Sequence, residues 1–104
     1  MASRIQDLTN GRSESRDEVH HRARAIAPDG RPANLLIVNI SAGGLMLRSD
    51  EEFGIGEVVR VTLPLVGAVA AEVRWSLGGR IGCRFDRTVA LADYDALLAA
   101  LRKA

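Results

Sequence analysis

Hydrophobic and polar side chains alternate over much of this chain, which is the pattern of β-strands with one buried face. The first segment begins at residue 19 and divides its side chains between two faces: Val19, His21, Ala23 and Ala25 on one, His20, Arg22, Arg24 and Ile26 on the other. Residues 28–32, Pro-Asp-Gly-Arg-Pro, are a strong turn signal, and an apolar run of strand length follows at 33–40. These features predict two strands joined by a tight turn.

Four more segments of strand length follow, at residues 44–48, 57–64, 67–76 and 80–86, with glycine-rich turns between them. Residues 41–44 separate the first of these from the preceding strand. Within residues 67–76 the alternation assigns one face to Val69, Ala71, Val73 and Trp75. Six short strands at regular spacing favour a mainly β fold, either an antiparallel barrel or a sandwich.

The C-terminal segment changes from a period of two to helical spacing. Its apolar positions are Leu91, Tyr94, Leu97, Leu98 and Leu101, with Thr88 as the candidate N-cap and Arg102 and Lys103 at the end where basic residues are favourable. We expect one amphipathic helix that closes an end of the barrel. The first eighteen residues, by contrast, are polar and without periodicity, which predicts a flexible arm.

Composition narrows the class of protein. A chain of 104 residues, 47% hydrophobic and 26% charged, is expected to form one globular domain. We expect neither a membrane span nor a secretory signal, because the chain has no sufficiently long apolar run. The single cysteine fits a reducing cytoplasm, and a net charge of +1 does not favour nonspecific binding to nucleic acid. The expectation is a cytoplasmic protein without membrane insertion and without a nucleic-acid partner.

Residues suited to catalysis are few. His20 and His21 are adjacent, so on a strand they face opposite sides and cannot hold one metal ion from a common face. Cys83 lies on an apolar face between Gly82 and Arg84, which predicts a buried structural thiol. No nucleophile elbow or phosphate-binding loop is present. The sequence therefore predicts no metal, no cofactor and no enzymatic activity.

Two segments are not explained by core packing, and the first is the arginine pair Arg12 and Arg16 in the polar arm. Guanidinium groups bind phosphate oxygens and the O6/N7 edge of guanine in a bidentate manner, and they also stack on planar bases. The simpler interpretation is a solvated charged arm, since Glu14, Asp17 and Glu18 lie nearby.

The second segment is Asn-Ile-Ser-Ala-Gly-Gly at residues 39–44. Asn39 and Ser41 point to the same side if the strand extends that far, and the glycines allow another group to approach the backbone closely. The simpler interpretation is an ordinary hairpin turn, in which Asn, Ser and Gly are common.

Taken together, Arg-x-x-x-Arg at 12–16 and Asn-x-Ser-x-x-Gly at 39–44 resemble the signature of the PilZ family. The later strands, with Val-Arg-Trp at 73–75 and Gly-Cys-Arg-Phe at 82–85, are also similar to that family, and the resemblance extends over roughly residues 11–103. It implies a six-stranded antiparallel β-barrel with a C-terminal α-helix in residues 11–104, preceded by a flexible arm at residues 1–10.

PilZ domains commonly bind the bacterial second messenger cyclic di-GMP. The resemblance implies that Arg12 and Arg16 meet the phosphates and guanines of this ligand. It also implies that Asn39 and Ser41 hydrogen-bond a guanine edge and a phosphate, while Gly44 keeps the surface open and the turn unstrained.

A second Arg-x-x-x-Arg runs from Arg80 to Arg84, and its strand context is that of barrel structure, with Arg84 as a candidate additional ligand contact. Three features depart from the family pattern. Asn39 stands where the family often has Asp, and acidic residues directly follow Arg16. In the family, the neighbourhood just before the arginine pair influences whether one ligand or two bind, and Gly11 offers no side chain there.

The leading hypothesis is a cyclic di-GMP receptor that signals through ligand-dependent binding to an unidentified effector protein. The alternative is a PilZ-like interaction module that does not bind the nucleotide. A barrel that binds nucleic acid is a third hypothesis, but an aromatic content of 4% does not supply the expected stacking platforms.

Overall fold

A computed structural model describes residues 15–103 of the chain. Within this range there are six strands and one helix: β1 Asp17–Ile26, β2 Pro32–Ser41, β3 Gly44–Arg48, β4 Val58–Leu63, β5 Gly67–Leu77, β6 Arg80–Phe85 and α1 Leu91–Arg102. The first strand starts two residues earlier than the alternation indicates. The predicted arm at residues 1–10 lies outside the described residues.

The strands form a closed antiparallel barrel in the order β1-β2-β3-β6-β5-β4, and β4 returns to pair with the end of β1. The barrel prediction is therefore confirmed, and the sandwich is excluded. Closure leaves β3 and β4 on opposite sides of the barrel, three strands apart in either direction. Strand β3 lies between β2 and β6. The turn that follows Asn39 and Ser41 on β2 and the residue Arg84 on β6 therefore lie on the same side of the barrel.

The barrel interior is filled by the apolar residues of the alternating pattern. Side chains from all six strands are fully or almost fully buried, among them Ile37, Leu47, Val61, Val73 and Ile81. Each such side chain contributes roughly 1.5–3 kcal/mol relative to an exposed one. The interior is thus a packed core rather than a ligand cavity, so any ligand site lies on the outer surface.

A β-bulge between Val73 and Trp75 changes the face to which Trp75 belongs. One extra residue in β5 opposes β6 there, so Trp75 pairs with the outward-facing Gly82 and is 41% exposed. The expectation that Trp75 shares the inward face with Val73 is wrong, because simple alternation does not allow for the inserted residue.

Helix α1 packs on the core through Leu97 and Leu101, both buried. Its N-cap is Ala90, without a side-chain hydrogen bond, so the assignment of Thr88 as the cap is wrong. Leu91 was expected on the apolar face but is 82% exposed, because it precedes the turn that reaches the core. Within residues 15–103 no helix is long and apolar enough to span a bilayer.

The C-terminal end of α1 is tied to β1 by a basic side chain. Arg102 donates two hydrogen bonds from its guanidinium to the carbonyl oxygen of Glu18, at 3.1 and 2.8 Å. A basic residue is also favourable in the last helical turn on dipole grounds. The helix therefore lies against the strand that directly follows Arg16.

Candidate functional site

The turn between β2 and β3 places the Asn-x-Ser-x-x-Gly segment at the edge of a surface cleft. Strand β2 continues through Ser41, Ala42 and Gly43 form the turn, and Gly44 begins β3. Because Ile40 points into the core, Asn39 and Ser41 lie on the outward side, as expected for residues two apart on a strand. Ser41 is nonetheless only 1% exposed, and its hydroxyl lies 3.5 Å from the carbonyl oxygen of Gly44, to which it donates.

Gly44 is required by close packing of two strands rather than by the turn. It pairs with Arg84 of β6, and a Cβ at this position would collide with the carbonyl oxygen of Cys83. Its backbone is not in the left-handed region. The expectation that Gly44 relieves strain in the turn is therefore corrected, since its role is to let β3 approach β6.

The central contact of the site joins the two motifs. The Nε of Arg16 donates a hydrogen bond of 2.8 Å to Oδ1 of Asn39, across 23 positions of the chain. The amide of Asn39 in turn lies 3.5 Å from the sulfur of Met46 on β3. Within residues 15–103 the terminal amino groups of Arg16 form no hydrogen bond, and the residue is exposed.

A cleft of about 410 Å³ opens beside this contact. It is lined by Arg16, Ser41, Gly43, Gly44, Cys83, Arg84, Phe85, Asp86 and Thr88. Arg84, the candidate additional contact, is exposed at its wall. Two guanidinium groups therefore face the cleft, with one carboxylate, that of Asp86, on its rim.

Cys83 lies beneath this cleft as a free, buried thiol, as the sequence predicts. Burial disfavours the thiolate and raises the pKa of Cys83 to about 12. The thiol is thus protonated at physiological pH, which makes it a packing group and not a nucleophile.

The barrel surface next to the cleft carries an indole ring that sequence reasoning assigned to the core. Asn39 pairs with Met46, Met46 with Gly82, and Gly82 with Trp75, so the four residues form one cross-strand row. The ring of Trp75 covers Gly82 so closely that a Cβ on Gly82 would collide with the indole. The signal that could have revealed this is the glycine between two inward-facing residues, Ile81 and Cys83.

The acidic residue that directly follows Arg16 is engaged with the C-terminal helix. The hydroxyl of Tyr94 on α1 donates a hydrogen bond of 2.7 Å to the carboxylate of Asp17, and it lies 3.1 Å from the carbonyl oxygen of Ile40. Asp17 is half-buried under this contact. Its carboxylate therefore belongs to the junction between helix and strand. Arg12 and Gly11 lie outside the described residues.

Metal-ligand chemistry has no cluster to support it in the described part of the chain. No group of three or more His, Cys, Asp or Glu residues with liganding proximity occurs in residues 15–103. His20 is exposed and His21 half-buried on β1.

The described residues form a closed six-stranded antiparallel barrel with a C-terminal helix and a surface cleft lined by two arginines. Comparison with protein-family models identifies the class of domain: the PilZ domain matches residues 10–103, nearly the whole chain. The chain therefore belongs to the PilZ domain family, a family of cyclic di-GMP receptors and adaptors rather than of enzymes. A search of curated proteins finds no match to the chain.

Proposed function

We propose that this PilZ domain binds cyclic di-GMP in the cleft beside Arg16 and signals by changing its binding to an effector protein. Arg12 and Arg16 bind the phosphates and guanines, Asn39 and Ser41 hydrogen-bond the ligand, and Gly44 keeps the floor open. The ligand needs no metal or cofactor. The protein acts in the cytoplasm, where a free thiol such as Cys83 remains reduced.

The observation that carries this proposal is the Arg16–Asn39 hydrogen bond. It brings the two motifs together although they are separated by most of β1 and β2. Among residues 15–103 only the Nε of Arg16 forms a hydrogen bond, and its planar terminal amino groups suit an anionic oxygen or a guanine edge. An arginine oriented in this way loses less conformational entropy on binding than a free one.

Two residues outside the signature extend the site. Arg84 adds a second cation to the lining of the cleft. Trp75 supplies an exposed aromatic face at the end of the row that begins at Asn39, and stacking of a base on such a face contributes about 1–3 kcal/mol.

The available interactions are of the size that a cellular sensor needs. Hydrogen bonds to charged groups contribute about 1.5–3 kcal/mol each, so four or five of them supply about 6–15 kcal/mol before the cost of immobilising the ligand and the arginine side chains is subtracted. A micromolar complex corresponds to about 8 kcal/mol.

Signalling to a partner is supported by the position of α1. Asp17 follows Arg16 directly and accepts the hydrogen bond from Tyr94, and the next residue, Glu18, accepts those of Arg102. A movement of Arg16 onto a ligand therefore pulls on the two residues that hold the helix. The exposed side of α1 is the surface on which an effector protein would detect this change.

Isothermal titration calorimetry of cyclic di-GMP tests the proposal, with Arg16→Ala as the site variant and Arg60→Ala as the matched control. Arg60 is an exposed arginine on β4, on the opposite side of the barrel from β3. We expect micromolar binding by the wild type and by Arg60→Ala, and its loss in Arg16→Ala. Absence of heat in the wild type, confirmed at a second temperature, would leave the interaction module that binds no nucleotide as the better account.

A further inference from the structure

A second group of arginines lies on the outer surface of the barrel, away from the cleft. Arg48 of β3 pairs directly with Arg80 of β6, and both side chains are exposed. Like charges directly opposite each other on neighbouring strands destabilise a sheet. Within residues 15–103 the ion pairs are those of Arg31 with Asp29 and Glu51, so no carboxylate in this range neutralises the pair.

A third arginine joins this group across a leucine. Arg22 of β1 pairs with Leu36 of β2, and Leu36 pairs with Arg48, so the half-buried Leu36 lies between two exposed guanidinium groups. A groove of about 420 Å³ follows these residues, with His20 and Asn34 among its lining and Asp50 as the one carboxylate on its rim. We call this groove, with Arg80 beside it, the arginine groove.

We propose that the arginine groove is the docking site for an acidic segment of a partner protein, with an apolar side chain between two carboxylates. The backbones of β1 and β3 are about 10 Å apart, two inter-strand spacings. Positions i and i+7 of a helix are separated by about the same distance, and position i+3 or i+4 lies between them. Carboxylates at i and i+7 therefore reach Arg22 and Arg48 while an apolar residue covers Leu36.

The chemistry of the groove favours a protein segment over the other polyanions. A nucleic-acid backbone presents phosphates without an apolar group to place on Leu36, and His20 is the one aromatic ring among the groove's lining residues, with no Phe, Tyr or Trp on which a base could stack. An anionic membrane surface attracts arginines electrostatically, but its headgroups present no apolar group to the half-buried Leu36 between them. This inference does not rest on nucleotide binding, because the groove shares no residue with the cleft beside Arg16.

The test is fluorescence anisotropy with a labelled helical peptide that carries Glu at i, i+7 and i+11 and Leu at i+4. The control peptide has Lys in place of each Glu. The protein is used as the full chain without nucleotide, as wild type, Arg48→Glu, Arg80→Glu and the control Arg60→Glu on the far strand. We expect the Glu peptide to bind, the Lys peptide not to bind, and each groove variant to weaken binding by about tenfold or more.

A second readout separates docking from a structural role. Arg80→Glu replaces a like-charge pair with an opposite-charge pair, so its midpoint of urea unfolding should rise while its peptide binding falls. Arg16→Ala should bind the peptide as the wild type does, whatever its effect on cyclic di-GMP. Equal binding of the two peptides, wild-type binding by Arg48→Glu, or displacement of the Glu peptide by an equal charge concentration of single-stranded DNA would each overturn the proposal.

Discussion

The hydroxyl of Tyr94 lies 2.7 Å from a carboxylate oxygen of Asp17, so the C-terminal helix is bound to the residue that follows Arg16. The two residues are 77 positions apart. Because the same hydroxyl also approaches the carbonyl of Ile40, this one side chain connects α1, β1 and β2 next to the turn that carries Asn39. Ligand site and helix are therefore parts of one hydrogen-bonded junction.

Tyr94→Phe should lower the free energy of unfolding by about 1 kcal/mol, because Asp17 then loses a hydrogen bond at a half-buried position. Burial, and then the bond to Asp17, raise the pKa of Tyr94 above its ordinary value of about 10. In the unfolded chain the phenol ionises first, so the stability that Tyr94 contributes should decline as the pH rises above about 10, in addition to the alkaline loss from the buried thiol of Cys83 that the wild type and Tyr94→Phe share. Urea unfolding at pH 7 and pH 10.5 measures both effects. Asp95→Asn, on the same helix but exposed, is the control, and an equal alkaline decline in Tyr94→Phe would contradict the assignment.

Cys83 should be unreactive in the native protein. Its thiol is 6% exposed, and burial raises its pKa to about 12, so thiolate is scarce at pH 8. Reaction with a chromogenic disulfide reagent should be slow without denaturant and fast in urea above the unfolding midpoint. Rapid labelling of the folded protein would show that β6 opens at the cleft.

Gly44→Ala should destabilise the barrel, and not merely weaken ligand binding. The added Cβ meets the carbonyl oxygen of Cys83 on the neighbouring strand, and backbone cannot move aside as a flexible side chain would. Overpacking of this kind costs typically 1–3 kcal/mol. Thermal unfolding followed by circular dichroism should show a lower midpoint than the wild type. Gly54→Ala, where a Cβ meets only the Glu57 side chain at an ordinary distance, provides the comparison. If the two variants unfold alike, the β3–β6 contact is looser than described.

Gly82→Ala should displace the indole of Trp75, the only tryptophan of the chain. Loss of the close contact exposes the ring further, so the emission maximum should shift to longer wavelength. Addition of cyclic di-GMP should change the fluorescence of the wild type if a guanine stacks on this ring. An unchanged emission maximum in Gly82→Ala would show that the ring does not rest on residue 82.

Alternation of side chains predicted β1, β4, β5 and β6, since a strand with one buried face has a period of two, and apolar runs of strand length between turn signals predicted β2 and β3. Alternation failed at Trp75, where one inserted residue in β5 reverses the face, and no local signal in β5 marks that residue. The predicted start of α1 was also wrong. Thr88 is a favourable cap residue in isolation, but the backbone turns into the helix only at Ala90.

Only part of the candidate site could be predicted from the sequence. The resemblance supplied Arg16, Asn39 and Ser41 as residue types, but their mutual contact depends on how β1 and β2 pair in space. That pairing includes a register shift between Glu18 and His21, and the pairing of β2 with β3 has another between Ile37 and Asn39, which alternation along the sequence does not indicate. Tyr94 was assigned to the apolar face of a helix, and its polar link to Asp17 follows from tertiary packing alone.

The most direct test of nucleotide binding is a titration of the ¹⁵N-labelled protein with cyclic di-GMP, followed by amide chemical shifts. The account predicts saturable shifts at Asn39, Gly44 and Arg84 and at the side-chain Nε of Arg16, with β4 around Arg60 unaffected. Shifts that are absent at saturating ligand, or that occur on β4 and not around the β2–β3 turn, would contradict the assignment of this cleft as the cyclic di-GMP site.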